Sequence, residues 1–137
     1  KEILIRDGRP VFIALAPVDP RSLMQGDYMA LRFALPDAAL RHHPLTGPPP
    51  QAIGPIDANG VVKLERIGGP ASQLAPGDIA INLSFKNSRW IVVTDAWFFA
   101  EKTARKWEAA RFGEFRVLPD GRALLVGMAD KDRIAIR

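Results

Sequence analysis

Residues 74–85 read LAPGDIAINLSF. Past Gly77-Asp78 the alternation is clean: Ile79, Ile81, Leu83 and Phe85 fall on one face, and Ala80, Asn82, Ser84 and Lys86 on the other. Successive side chains of a strand point to opposite faces, so this pattern predicts a half-buried antiparallel strand. The turn KNSR, residues 86–89, then leads into Trp90-Ile91-Val92-Val93-Thr94, the expected hairpin partner.

The same arrangement occurs earlier, in residues 23–33, LMQGDYMALRF. Each copy has Leu, two unspecified residues, Gly-Asp and an apolar-rich run. Glycine takes a positive φ without a Cβ clash and suits a sharp entry into a strand. The neighbouring aspartate can accept from nearby backbone N–H groups. Gly26-Asp27 and Gly77-Asp78 are therefore read as corners, with Leu23 and Leu74 tucked beneath them. The corner resembles the GD box of cradle-loop barrels. The first copy opens a strand over residues 28–35, with Met29, Leu31 and Phe33 on one face and Tyr28, Ala30 and Arg32 on the other.

Farther out, Ile3-Leu4-Ile5 and residues 11–16 form two β-prone runs around Asp7-Gly8, a predicted hairpin. Asp37 is positioned to cap one helical turn. Residues 43–60, rich in proline and glycine, read as a loop. Asn59-Gly60 turns into a strand that Gly68-Gly69-Pro70 stops. Phe99, Thr103, Trp107 and Ala110 share a helical face, so an amphipathic helix is predicted over 97–112, capped by Asp95 and ended by Gly113. Residues 115–118 and 122–128 make a hairpin around Pro119-Asp120-Gly121, and residues 133–137 a last edge strand. The expected fold is mainly β with some helix (α+β): an antiparallel, barrel-like or sandwich arrangement of short strands with that helix packed against it.

A length of 137 residues fits one domain, and 47% apolar with 25% charged residues is ordinary for a globular protein. The absence of cysteine removes disulfides, thiolate nucleophiles and Cys-based zinc sites. The net charge of +4 is scattered rather than gathered into a basic stripe, which argues against a nucleic-acid partner. No apolar run of about 18 residues is present. His42 and His43 are adjacent and diverge on either a strand or a helix, so no metal site is expected from them, and no cofactor is implied.

The motif GDY in residues 26–28 with Leu31, preceded by APVDPRSLMQ (16–25) and followed far downstream by residues 98–130, resembles the bacterial GDYXXLXY family. Gly26, Asp27, Tyr28 and Leu31 match the family motif, and Phe33 stands at its final tyrosine. The resemblance implies a single domain over 1–137, periplasmic or otherwise extracytoplasmic, tethered to the inner membrane by an N-terminal anchor. The start at Lys1, without Met, is consistent with an anchor upstream. The family implies no established activity, and its members are often encoded beside polytopic membrane proteins. The expected role is a non-enzymatic accessory or interaction module for such a neighbour, with Tyr28, Arg32, Trp97, Trp107 and the proline-rich residues 44–55 as candidate contact surface.

The catalytic alternative is a Ser/Lys peptidase resembling signal-peptidase-type hydrolases, with Ser22 as nucleophile and Lys63 as base. Such a lysine must be desolvated to act as a base. Here the serine is separated from Met24 by Leu23, and Lys63 alternates with Glu65 on the face expected to be wet.

Overall fold

The computed structural model describes residues 2–69 and 72–137. In chain order the elements are α1 (Glu2–Asp7), β1 (Arg9–Ala14), a 3-10 turn (Pro20–Leu23), β2 (Tyr28–Ala30), α2 (Asp37–Leu40), β3 (Gln51–Pro55), β4 (Arg66–Gly68), β5 (Asp78–Lys86), β6 (Arg89–Val92), β7 (Ala96–Phe98), α3 (Ala104–Trp107), β8 (Phe112–Val117) and β9 (Ala123–Ala129). The strands form three antiparallel sheets, in the orders β1-β8-β9, β2-β7 and β4-β3-β5-β6. The protein is mainly β and sandwich-like. The sheets do not close into a barrel, because isolated bridges such as Leu15 to Phe33 and Phe12 to Val61 join them instead of a continuous ladder.

Strand β5 carries the predicted pattern except at Ala80, which is buried although it lies on the face opposite Ile79, Ile81 and Leu83. Ile79, Ile81 and Leu83 are buried while Asn82 and Ser84 are exposed. Burying each of these aliphatic side chains contributes about 1.5–3 kcal/mol. Phe85 continues the same face but is 45% exposed, because β5 runs past the end of the core there. Asn87 and Ser88, with φ of 52° and 67°, make the two-residue turn that pairs Lys86 with Arg89. Met29, Leu31 and Phe33 point inward as expected, although β2 is only three residues long. They join Val11, Ile13, Phe115 and Met128 in one hydrophobic cluster.

Several expectations are corrected. Ile3, Leu4 and Ile5 lie in α1, which the Gly8 N–H closes onto the Leu4 carbonyl at 3.0 Å, so there is no hairpin with β1. Asp37 is the first residue of α2 rather than its cap. The stretch read as a loop contains β3, the strand between β4 and β5, and Gln51, Ala52, Ile53 and Gly54 are all buried. The Gln51 amide is satisfied there: its Nε2 donates to Asn82 Oδ1 at 2.8 Å and to the Asp120 carbonyl at 3.2 Å. Gly54 is required by a close backbone approach, because a Cβ would collide with the Lys63 carbonyl. Asn59-Gly60 turns as expected, with Gly60 at φ +82° and Asp57 Oδ1 accepting from the Asn59 and Val61 N–H groups. Beyond it Val62 and Leu64 are buried, but regular pairing resumes only in β4. Pro70, part of the expected stop, lies outside the described residues.

The predicted helix over 97–112 does not form. Residues 96–98 are β7, paired with β2, and the helical part is the four-residue α3. Three consecutive aromatic residues suit a strand, and the chain then reverses through Lys102 at φ 67°. Gly113 is not a helix cap but a buried residue of β8, where a Cβ would come within 2.7 Å of the Phe33 ring. The hairpin β8-β9 forms as expected, with a register shift between Glu114 and Phe115. Residues 133–137 contribute one bridge, Ala129 to Ala135, rather than a strand.

The Gly54 constraint is testable. Gly54→Ala should destabilise the fold by at least about 2 kcal/mol through overpacking of a buried strand. Gly127→Ala, in a strand with nothing near the new methyl group, should change stability by less than about 0.5 kcal/mol. Urea denaturation followed by circular dichroism measures both.

Candidate functional site

The two Gly-Asp corners share a backbone and differ in their side chains. Gly26 and Gly77 have φ of +79° and +86°, so both positions require the left-handed conformation glycine supplies. Asp78 Oδ2 accepts from the Ala75 N–H at 3.0 Å and from the Arg66 guanidinium at 2.6 Å, and its side chain is only 7% exposed. The Arg66 hydrogen bond first, and the Ala75 amide second, hold the Asp78 carboxyl below the usual range. Asp27 is exposed and has no side-chain hydrogen bond among the described residues; what ties this corner is the Gln25 N–H donating to the Tyr28 carbonyl at 2.8 Å. Leu23 packs against the core, but Leu74, expected beneath its turn, is 43% exposed.

The peptidase pair is not assembled. Ser22 Oγ donates to the Asp19 carbonyl at 2.6 Å, closing the 3-10 turn. Lys63 is exposed along a groove walled by Ile13, Ala34, Pro55 and Val61, and no hydrogen bond links it to Ser22 among the described residues. His43 Nδ1 lies 2.9 Å from the Pro44 carbonyl, and its ring meets Trp90 edge to face at 5.6 Å. No group of three His, Asp or Glu side chains able to hold a metal occurs among the described residues.

The four residues expected to form a contact surface do not make one exposed patch. Trp107 is buried, between Trp97 at 5.5 Å and Phe99 at 6.3 Å, and its Nε1 donates to Thr103 Oγ1 at 3.3 Å. It belongs to the core. Tyr28 packs on Phe98, itself 70% exposed, with ring centroids 5.4 Å apart. Of the four, Arg32 lines the cleft beside β6.

That cleft, of about 470 Å³, lies along β6. One wall is β6 with Phe85. The other is the chain from Leu31 to Leu35, continued by α2 and by Arg41, His43 and Leu45. Phe85 and His43 flank Trp90, the Phe85 ring at 5.2 Å. Leu45, from the proline-rich stretch, is 64% exposed at the rim. Arg32, Arg41 and Arg89 line the cleft against a single carboxylate, Asp37. Arg89 Nη2 donates to the Leu31 carbonyl at 3.0 Å and ties the two walls together. At the turn end Asp95 accepts from Lys86 Nζ at 3.1 Å and Asn87 Nδ2 at 3.0 Å, which fixes the tip of the hairpin; the Lys86 bond first holds the Asp95 carboxyl below its usual range. Sequence reasoning found Arg32 and left out Trp90, Phe85, Arg41 and Arg89. The signal available was the Asn87-Ser88 turn, which fixes where Arg89 and Trp90 sit on the outer strand.

These features describe an antiparallel β protein with a ligand-sized, arginine-lined cleft beside a sheet edge. The GDYXXLXY protein family model matches residues 1–128, and the chain belongs to that family. No curated protein and no solved structure matches it.

Asp78→Asn tests the second corner. A carboxyl held low in the folded state contributes stability above its unfolded pKa of about 3.9, and loses it as pH falls through the folded value. The variant should therefore be less stable than wild type at pH 7, with the gap shrinking as the pH falls below the ordinary carboxylate range. Asp27→Asn, which removes no side-chain hydrogen bond among the described residues, should leave the denaturation midpoint at pH 7 unchanged.

Proposed function

We propose that this chain is a non-enzymatic, extracytoplasmic interaction module, tethered at the inner membrane, that docks onto a polytopic membrane protein encoded beside it. The observation that carries the reading is the cleft along β6. Exposed apolar groups, an aromatic cluster and several arginines at a sheet edge are means of gripping another chain. Membership of the GDYXXLXY family supports the same direction. No described helix is long and apolar enough to cross a membrane. The tether in this reading is an N-terminal anchor preceding α1, whose Ile3 and Ile5 are half-exposed.

Affinity capture of the tagged full-length gene product from detergent-solubilised membranes tests the proposal. The expected result is a product in the membrane fraction that retains one polytopic protein through washing. A product found wholly in the aqueous fraction, or capture of no membrane protein after in-cell crosslinking, rejects it.

A further inference from the structure

The hairpin register determines where the backbone of β6 points. A two-residue turn makes Lys86 and Arg89 a hydrogen-bonded pair, so the next pair, Phe85 and Trp90, is non-hydrogen-bonded, and Ser84 and Ile91 bond again. The Leu83 N–H confirms this phase, since it donates away from β6, to the Pro50 carbonyl at 3.0 Å. The N–H and C=O of Trp90 therefore project from the outer edge of β6, and neither has a backbone partner among the described residues. That edge lines the cleft.

We propose that the cleft takes an extended, acidic segment of a partner protein as an added strand on the outer edge of β6. The Trp90 N–H and C=O supply two ladder bonds. A strand laid there presents alternate side chains to the two faces of the sheet. One set packs on the Phe85 and Trp90 rings, and the bound segment as a whole lies in the cleft that Leu45, Arg32 and Arg41 also line. Arginine pairs with carboxylates through two parallel N–H donors. Neither of these two arginines has an ion-pair partner within 4.0 Å among the described residues. Three arginines against Asp37 select an acidic chain over a basic one. The occupant is a peptide rather than a lipid surface because the unmet groups are backbone groups in strand geometry, recessed between two walls. This inference rests on the interaction-module reading and adds the docking site and the chemistry of the bound segment.

The probe is a capped, fluorescein-labelled peptide about six residues long that alternates valine with glutamate. It is compared with a lysine-for-glutamate counterpart, with a copy N-methylated on alternate amides, and with phosphatidylglycerol vesicles. Wild type should bind the acidic peptide, with the other two peptides at least about tenfold weaker. Arg32→Glu/Arg41→Glu should weaken binding at least about tenfold at an unchanged melting temperature. Saturating peptide should slow hydrogen exchange at the Trp90 amide by about tenfold or more, which charge attraction alone would not do. Equal binding of the lysine peptide, an unprotected Trp90 amide, no binding of the acidic peptide at millimolar concentration, or binding of vesicles alone each overturns the proposal. The two readings also separate. If the doubly substituted full-length product still captures its membrane partner, the cleft assignment falls and the module stands. If the acidic peptide binds as described while no membrane protein is captured, the cleft assignment stands and the partner reading falls.

Discussion

Strand β5 is held in register at both ends, and the rest of the structure follows from that. At its start the Gly77 corner directs the chain, and Asp78 is anchored by Arg66 from β4 and by the Ala75 amide. At its end the Asn87-Ser88 turn allows only one pairing with β6. A slip of one residue would move Ile79, Ile81 and Leu83 from the core to solvent, at a cost of several kcal/mol. It would also turn the Trp90 backbone inward and present Arg89 and Ile91 at the outer edge instead. Core and cleft thus depend on the same register.

The two Gly-Asp corners separate what a motif fixes from what its surroundings fix. The glycine does the same work twice, because a positive φ is a property of the backbone. The aspartate does not. Asp78 lies across β3 from β4, and the long Arg66 side chain spans β3 to reach it. Asp27 precedes β2, which pairs with β7 in a two-stranded sheet, and Leu23 rather than the carboxylate ties that corner to the core.

Where alternation was uninterrupted and bounded by turn residues, the sequence was readable: β5, β6 and the β8-β9 hairpin lie where their patterns place them. Of the cleft, Arg32 is legible because it alternates with Met29, Leu31 and Phe33, and Leu45 falls within the proline-rich stretch 44–55. The failures have physical causes. Helical spacing of Phe99, Thr103 and Trp107 is real, but those side chains meet through a strand, a reversal and one helical turn rather than through a continuous helix. In β3, Gly54 and Pro55 are signs of a loop when read locally. In the fold Gly54 is there because the backbone at Lys63 passes against it, a constraint from residues outside any local window. The cleft gathers residues from 31 to 94, and no local pattern announces such a gathering.

An exposed strand edge invites uncontrolled pairing, and the edges here differ in how they are protected. β4 is three residues long, and beside it Ser72 Oγ receives the Gly69 N–H at 2.9 Å. The end of β9 is covered by the chain terminus, where the Ile136 N–H donates to the Met128 carbonyl at 2.9 Å. β6 has neither a proline nor a covering segment. It faces a wall tied to it by Arg89 and carrying Arg32 and Arg41, so an approaching strand must fit between two backbones and tolerate concentrated positive charge. Another copy of this chain, itself net positive, meets that charge as repulsion. An acidic strand meets it as attraction. The arrangement therefore limits self-association while leaving the edge open to a partner of opposite sign, which is how an unpaired edge can be kept without aggregation.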